Sequence, residues 1–208
     1  MTDQQPGQPS GVRGDGVDEE LADFAQQIAD QVESFLLALQ AISRETDGGR
    51  AISLLLLEVS QVLLAGARLG VQADFTPRAE YPPDVGPDPD LDGMRLRLAR
   101  MLDNVDTYSA VFDPYVPELT TSQLSDDLTS IATDLANGLR HYRAGDIEEA
   151  LWWWQFSYVA SWGNAASASL RALQSVVTHD RLDSDDDVDA EVVAVAAEML
   201  DAGGTAPR

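Results

Sequence analysis

Apolar residues recur at three- and four-residue steps through Leu21, Phe24, Ile28, Val32, Phe35, Leu36, Leu39 and Ile42, which predicts an amphipathic helix with one apolar stripe. Asp18, Glu19 and Glu20 suit its first turn, where the helix dipole favours negative charge, and Gly48 and Gly49 suit its end. The next segment, Ala51 to Leu69, is apolar almost throughout. Its Glu58, Gln61 and Arg68, its acidic neighbour and its lack of aromatic belts point to a central bundle helix instead of a membrane span. Residues 71–90 then carry Pro77, Pro82, Pro83, Pro87 and Pro89, which forbid a regular helix and predict a long ordered loop.

A third helix is expected to place Leu91, Met94, Leu98, Met101, Leu102, Val105 and Tyr108 on one face and to close before Asp113-Pro114. A fourth begins near Thr121 or Ser122 and runs through Leu124, Leu128, Ile131, Leu135, Leu139 and Tyr142 to Gly145, a suitable residue for the left-handed turn after a helix. Asp146, with Glu149 three residues on, resembles a capping box for a fifth helix, so 122–162 reads as an antiparallel helical hairpin. The fifth helix holds all four tryptophans. At about 100° per residue, Trp152 and Phe156 share one side, while Leu151, Trp154, Tyr158 and Trp162 share another, with Trp153 between them. A helix apolar over so much of its circumference is either central in the bundle or covered by a partner. From Ser161 to Ser169 small residues dominate, which allows a bend at Gly163 or the close approach of a neighbour. Val192 to Leu200 suggests a short last helix beyond the acidic stretch Asp180 to Glu191.

Composition changes the picture in one direction. Acidic residues number 36 against 13 basic ones, every one an arginine, and the net charge is -23. Such a surface repels phosphate backbones and anionic lipid, so neither nucleic acid nor membrane is an expected partner, and a basic protein or a cation is the easier one. Without cysteine there is no disulfide, zinc-thiolate or iron-sulfur chemistry. Residues 1–17, polar and without an apolar core segment, read as a disordered leader and not a signal peptide, an expectation of a cytoplasmic protein.

The stretch from Tyr108 to Leu173 resembles an uncharacterised bacterial family of all-helical domains of unknown function. The resemblance rests on Tyr108 with Phe112-Asp113-Pro114, then Leu124, Asp126-Asp127-Leu128, Ile131, Asp134-Leu135 and Gly138-Leu139. It continues through Tyr142, Gly145, Ala150, Trp152, Trp154, Phe156, Ser157, Trp162-Gly163, Leu170, Ala172 and Leu173. It implies a helical fold and no activity. Tyr142 to Leu151 also looks like the turn of a tetratricopeptide repeat, but no second copy follows at that repeat's period.

Candidate chemistry is sparse. Asp88-Pro89-Asp90-Leu91-Asp92-Gly93 matches the first half of a calcium loop, yet the twelfth position, which should be a bidentate glutamate, is Ala99; an acidic turn capping the third helix is the competing reading. Alternate aspartates at 183, 185, 187 and 189 read as a solvated linker. Asp127, Asp134 and His141 recur every seven residues on one helix face but stand about 10 Å apart along its axis, too far to share an ion. Together with Asp126 they are either polar helix contacts or the lining of a pocket. Glu58 in its apolar segment needs a partner, which Arg140 or Arg143 could supply. No phosphate loop, nucleophile elbow or zinc helix motif is present, so no cofactor is expected and catalysis is disfavoured.

The expected architecture is thus all-α: one domain of five to seven helices over residues 18–178, the hairpin 122–162 at its centre, and an acidic segment with a short terminal helix over 179–208. The leading functional expectation is a non-enzymatic interaction or scaffold domain. Its partner surface would include Trp152, Trp154, Phe156 and Trp162 with the proline loop. The alternative is a bundle that binds a small ligand or cation through Asp88, Asp90 and Asp92 or through Asp126, Asp127, Asp134 and His141.

Overall fold

The computed structural model describes residues 12–77 and 85–181. The first eleven residues, Pro82 and Pro83 in the loop, the aspartate run after 182 and the terminal helix expected at 192–200 lie outside the described residues. The helical stripes appear where the periodicity puts them. Helix α1 (Val12–Ile42) buries Ala25, Ile28, Val32, Phe35, Leu39 and Ile42. It starts at Val12, six residues before the acidic turn at Asp18. Helix α2 (Gly48–Gly70) packs against α1 and buries Ala51, Leu55, Val59, Val62 and Leu69. It is the one helix among the described residues long and apolar enough to cross a membrane, and in the fold its inner face is part of the core.

Gly48 and Gly49 open α2 instead of closing α1, because the Asp47 carboxylate accepts the Arg50 amide at 3.1 Å and starts the helix there. Glu58 is half-buried, and desolvation raises its pKa. Neither arginine expected to pair with it does so. Arg143 reaches Glu33 at 2.6 Å, and Arg140 donates to the Val85, Gly86 and Pro87 carbonyls and to Asn137.

Helix α3 (Asp92–Leu102) is shorter than its apolar stripe predicts. Asp103 adopts φ 45°, a 3-10 turn (Asp103–Val105) follows, and Tyr108 falls in a strand. Strands β1 (Thr107–Val111) and β2 (Leu119–Gln123) form an antiparallel ribbon with Thr107 opposite Gln123 and Val111 opposite Leu119. Thr107, Val111, Thr120 and Thr121 are β-branched residues suited to such a ribbon, and the Asp113-Pro114 and Pro117 positions turn the backbone between the strands. The ribbon is an addition to an otherwise all-helical fold.

Helix α4 (Leu124–Arg143) is the hub, packing against α1, α3 and α5 (Ile147–Ser157). Gly145, at φ 89°, closes it as expected. The capping box is not formed: Asp146 makes no side-chain cap, and Glu149 is buried. From α5 the polypeptide passes through a π turn (Tyr158–Trp162) into helical residues 163–181, giving one rod about 50 Å long. The π turn has a packing consequence. In an uninterrupted α-helix Trp154 and Trp162, eight residues apart, would point about 80° away from each other. The turn absorbs one extra residue and brings them to within about 20°, so both indoles enter the core, at 0% and 1% exposure. Gln155 ties the end of the α2 segment to this rod, donating to the Leu69 carbonyl at 3.0 Å and accepting the Phe75 amide at 2.9 Å.

Candidate functional site

Asp127 and Asp134 of α4 lie against the ribbon and the rod. Tyr108 on β1 and Ser122 opposite it on β2 both donate to Asp127, at 2.6 and 2.9 Å. Burial first, then the hydrogen bond to Asp127 and its charge, hold the Tyr108 phenol well above its usual range. Nearby, buried Asp106 accepts both the amide and the hydroxyl of Ser125 at 2.8 Å, satisfying an orphan donor in the first turn of α4 and pinning the ribbon to the helix.

Two turns along, Trp153 and Trp154 donate their indole N–H groups to the Asp134 and Leu135 carbonyls at 2.9 and 3.0 Å. The Asp134 carboxyl is drawn upward in pKa chiefly by desolvation and also by the charge of Asp88, against a hydrogen bond from Ser161; its Oδ2 has no hydrogen-bond partner. His141 is buried at 3% exposure, its Nδ1 without a partner and its ring 6.3 Å from that of Trp153.

This arrangement corrects several sequence expectations. Trp154 and Trp162 are not surface residues, because the register of the rod turns them into the core. The exposed aromatic element is smaller: Phe156, 54% exposed, stacks on half-buried Trp152 at 5.4 Å. Asp126 pairs with Arg95 at 3.2 Å, apart from Asp127. Asp127, Asp134 and His141 remain in separate environments along α4. Asp88, Asp90 and Asp92 do not converge either. Asp88 accepts from Asn137, Asp90 from the Asp92 amide, and Asp92 lies 3.8 Å from Arg95. Among the described residues no three potential metal ligands come together.

Asp134 provides a test of this structural reading. Its raised folded pKa means that the native state holds this proton more tightly than the unfolded protein, so ionisation costs stability as pH rises past the unfolded value of 3.8. Asp134→Asn is therefore expected to raise the unfolding free energy measured by urea denaturation at pH 7, by no more than about 1 kcal/mol, and to leave it unchanged at pH 3. Destabilisation at pH 7 would contradict the assignment.

Among the described residues the surface carries a cavity on each of two sets of elements. One, of about 660 Å³ between α1, α3 and α4, has Leu36, Met94, Ala136 and Leu139 in its wall and Arg97, Arg140 and Arg143 at its border. Those three arginines are already bonded, Arg97 to Ser43 at 3.3 Å and the others as described.

The other, of about 720 Å³, runs between β1 and the far half of the rod. Six consecutive residues, 107–112, border it, so it follows the edge of the strand and not one face; β2 contributes only Leu119. The opposite wall is a small-residue stripe of the rod, Asn164, Ser167, Ala168, Ala172 and Ser175, with Arg171 among them. The Leu124 amide donates to the Asp106 carbonyl at 2.8 Å, one step beyond the ribbon's register. Antiparallel alternation then pairs Tyr108 and Ala110 with β2 and turns the backbone N–H and C=O of Thr107, Ser109 and Val111 away from it. Among the described residues no other strand pairs with β1. Sequence reasoning finds the small residues of the rod but misses the cleft, since the other wall is a strand whose apolar spacing continues that of α3.

Residues 19–179 match the model of a family described as a domain of unknown function (DUF5063). A crystal structure of a Bacteroides fragilis protein, a structural-genomics target, is similar in fold, with a TM-score of 0.59 and 16% identity over 73% of this protein and 93% of that one. No curated protein matches in sequence.

Proposed function

The protein belongs to the DUF5063 family of domains of unknown function, and from that premise, which brings a fold but no activity, we propose that it is a non-enzymatic interaction domain. Its binding site is the cleft along β1, where an extended segment of a partner protein adds as a strand. The observation that carries this reading is the edge of β1, unpaired among the described residues, with three residues directing amide and carbonyl groups along a cleft walled by small side chains. An edge left unpaired invites strand addition. The five residues of β1 extend about 17 Å, room for a segment of about five residues. The tryptophan-rich part of the rod acts here as support: Trp154 and Trp162 anchor the rod in the core, and the rod forms the cleft's second wall. The aspartates of the Asp88 loop engage separate partners, which favours this reading over a cation site at that loop.

The test is a selection of random seven-residue peptides against the full-length protein, followed by affinity measurement on Ser109→Pro. Proline at this position deletes an outward amide while leaving the β1–β2 bonds in place, and an edge position tolerates it. Recovered peptides are expected to bind the variant at least about tenfold more weakly with the thermal midpoint little changed. Peptides that bind both forms equally, or no recovered peptide at all, would overturn the reading.

A further inference from the structure

We infer that the segment taken into this cleft presents a carboxylate to Arg171; the inference rests on the strand-addition reading of the site. Among the described residues the cleft is lined by no aspartate or glutamate, and Arg171 is the charged residue in its wall. In a protein with 36 acidic residues, that lining is locally the reverse of the whole surface.

Arg171 also differs from the arginines bordering the cavity between α1, α3 and α4. Arg143 is paired with Glu33, Arg140 is bound to loop carbonyls and Asn137, and Arg97 is bound to Ser43. Arg171 is exposed and makes no hydrogen bond or ion pair among the described residues. Ser167, Ala168, Ala172 and Ser175 around it are short, so its guanidinium can lie over a strand seated against β1 and meet a carboxylate with two parallel hydrogen bonds.

The field of the remaining surface restricts the partner further. At physiological ionic strength charges are screened beyond about 8 Å, so a single carboxylate held at Arg171 is favoured while a run of acidic residues extending over the periphery is repelled. The recognised segment is therefore extended, small or apolar in its side chains, with one carboxylate. That carboxylate is either the free C-terminus of the partner or an Asp or Glu side chain.

The experiment uses two random seven-residue libraries against the full-length protein, one displayed with free C-termini and one displayed internally. Recovered peptides are then titrated by fluorescence anisotropy against the unmodified protein, Arg171→Gln, Arg171→Glu and Ser109→Pro. The expected result is an acidic group at a constant place in the recovered peptides, with binding about tenfold weaker to Arg171→Gln and weaker still to Arg171→Glu. Amidating that C-terminus, or replacing that Asp or Glu by its amide, should reproduce the loss. Enrichment confined to the first library identifies a C-terminal carboxylate, and enrichment in both identifies a side chain. Peptides that depend on Ser109 but bind Arg171→Gln undiminished, with no acidic position in common, overturn the carboxylate inference and leave strand addition standing. Peptides indifferent to Ser109→Pro, or none from either library, overturn both.

Discussion

Trp154→Ala is expected to lower the unfolding free energy by about 3–5 kcal/mol, the range for deleting a large aromatic side chain from a closed core. Trp154 is completely buried, its indole N–H bonds to the Leu135 carbonyl at 3.0 Å, and its ring stands 6.2 Å from Tyr142. The alanine variant leaves a cavity at the junction of α4 and α5 and an indole donor's place unfilled. Set against a total stability of about 5–15 kcal/mol for a domain, the loss should move the thermal midpoint down by roughly 10 °C. Trp152→Ala is the control, since half-buried Trp152 contributes mainly an exposed stack on Phe156; its loss should be below about 2 kcal/mol. Equal losses in the two variants, by urea denaturation followed with circular dichroism, would contradict the core assignment.

The same contact makes a second expectation, whose sign is opposite to that of local propensity. Gly138 lies in α4, where alanine should help the helix by about 1 kcal/mol. A Cβ at that position would sit 2.2 Å from the Trp154 Nε1 and 2.4 Å from its Cδ1. Such overlap with a buried ring requires the rod to withdraw from α4, and overpacking of this kind costs about 1–3 kcal/mol, with more where backbone must move. Gly138→Ala is expected to destabilise by about 2 kcal/mol net. Combining it with Trp154→Phe, a smaller ring with no indole nitrogen, should recover part of that loss, so the double variant is less destabilised than the two single losses added together. An alanine variant as stable as the unmodified protein would show that the indole does not press on the helix.

Local pattern makes much of this fold legible. The stripe from Leu21 to Ile42, the apolar run of α2 and the Leu124 to Tyr142 stripe each require a helix with one buried face, because that periodicity has no other way to bury its apolar positions. The Tyr108–Leu173 residues point to the family whose model covers 19–179. Gly145 is readable as the end of α4, because a left-handed residue is a local requirement. The misread positions share a different property. Tyr108 continues the apolar stripe of α3 at helical spacing, but its phenol bonds to Asp127, nineteen residues away, and its backbone pairs with Ser122. Asp47 decides the placement of Gly48-Gly49 through one hydrogen bond, and the Asp146–Glu149 spacing suggests a cap that the Asp146 side chain does not make.

The candidate site is less legible for the same reason. The sequence leaves Trp154 and Trp162 either core or partner surface, because aromatic density alone does not say which side of a helix is closed. Their burial depends on a π turn that inserts one residue between them. Asp88, Asp90 and Asp92 look like ligands when written in a row, and are parted by Asn137, the Asp92 amide and Arg95 once neighbouring elements are in place. The cleft has one wall in 107–112 and the other in 164–176, more than fifty residues on, and neither stretch carries a motif.

By itself, the sequence determined that the chain is mainly helical, which face of α1, α2 and α4 is apolar and that acidic residues outnumber basic ones, all consequences of interactions within a few residues or of composition. Tertiary structure alone decided which tryptophans are core, that 107–111 and 119–123 pair as a ribbon and that the edge of β1, unpaired among the described residues, and Arg171 line one cleft. Those depend on contacts between distant segments and on a one-residue change of helical register, and neither leaves a periodic trace in the sequence.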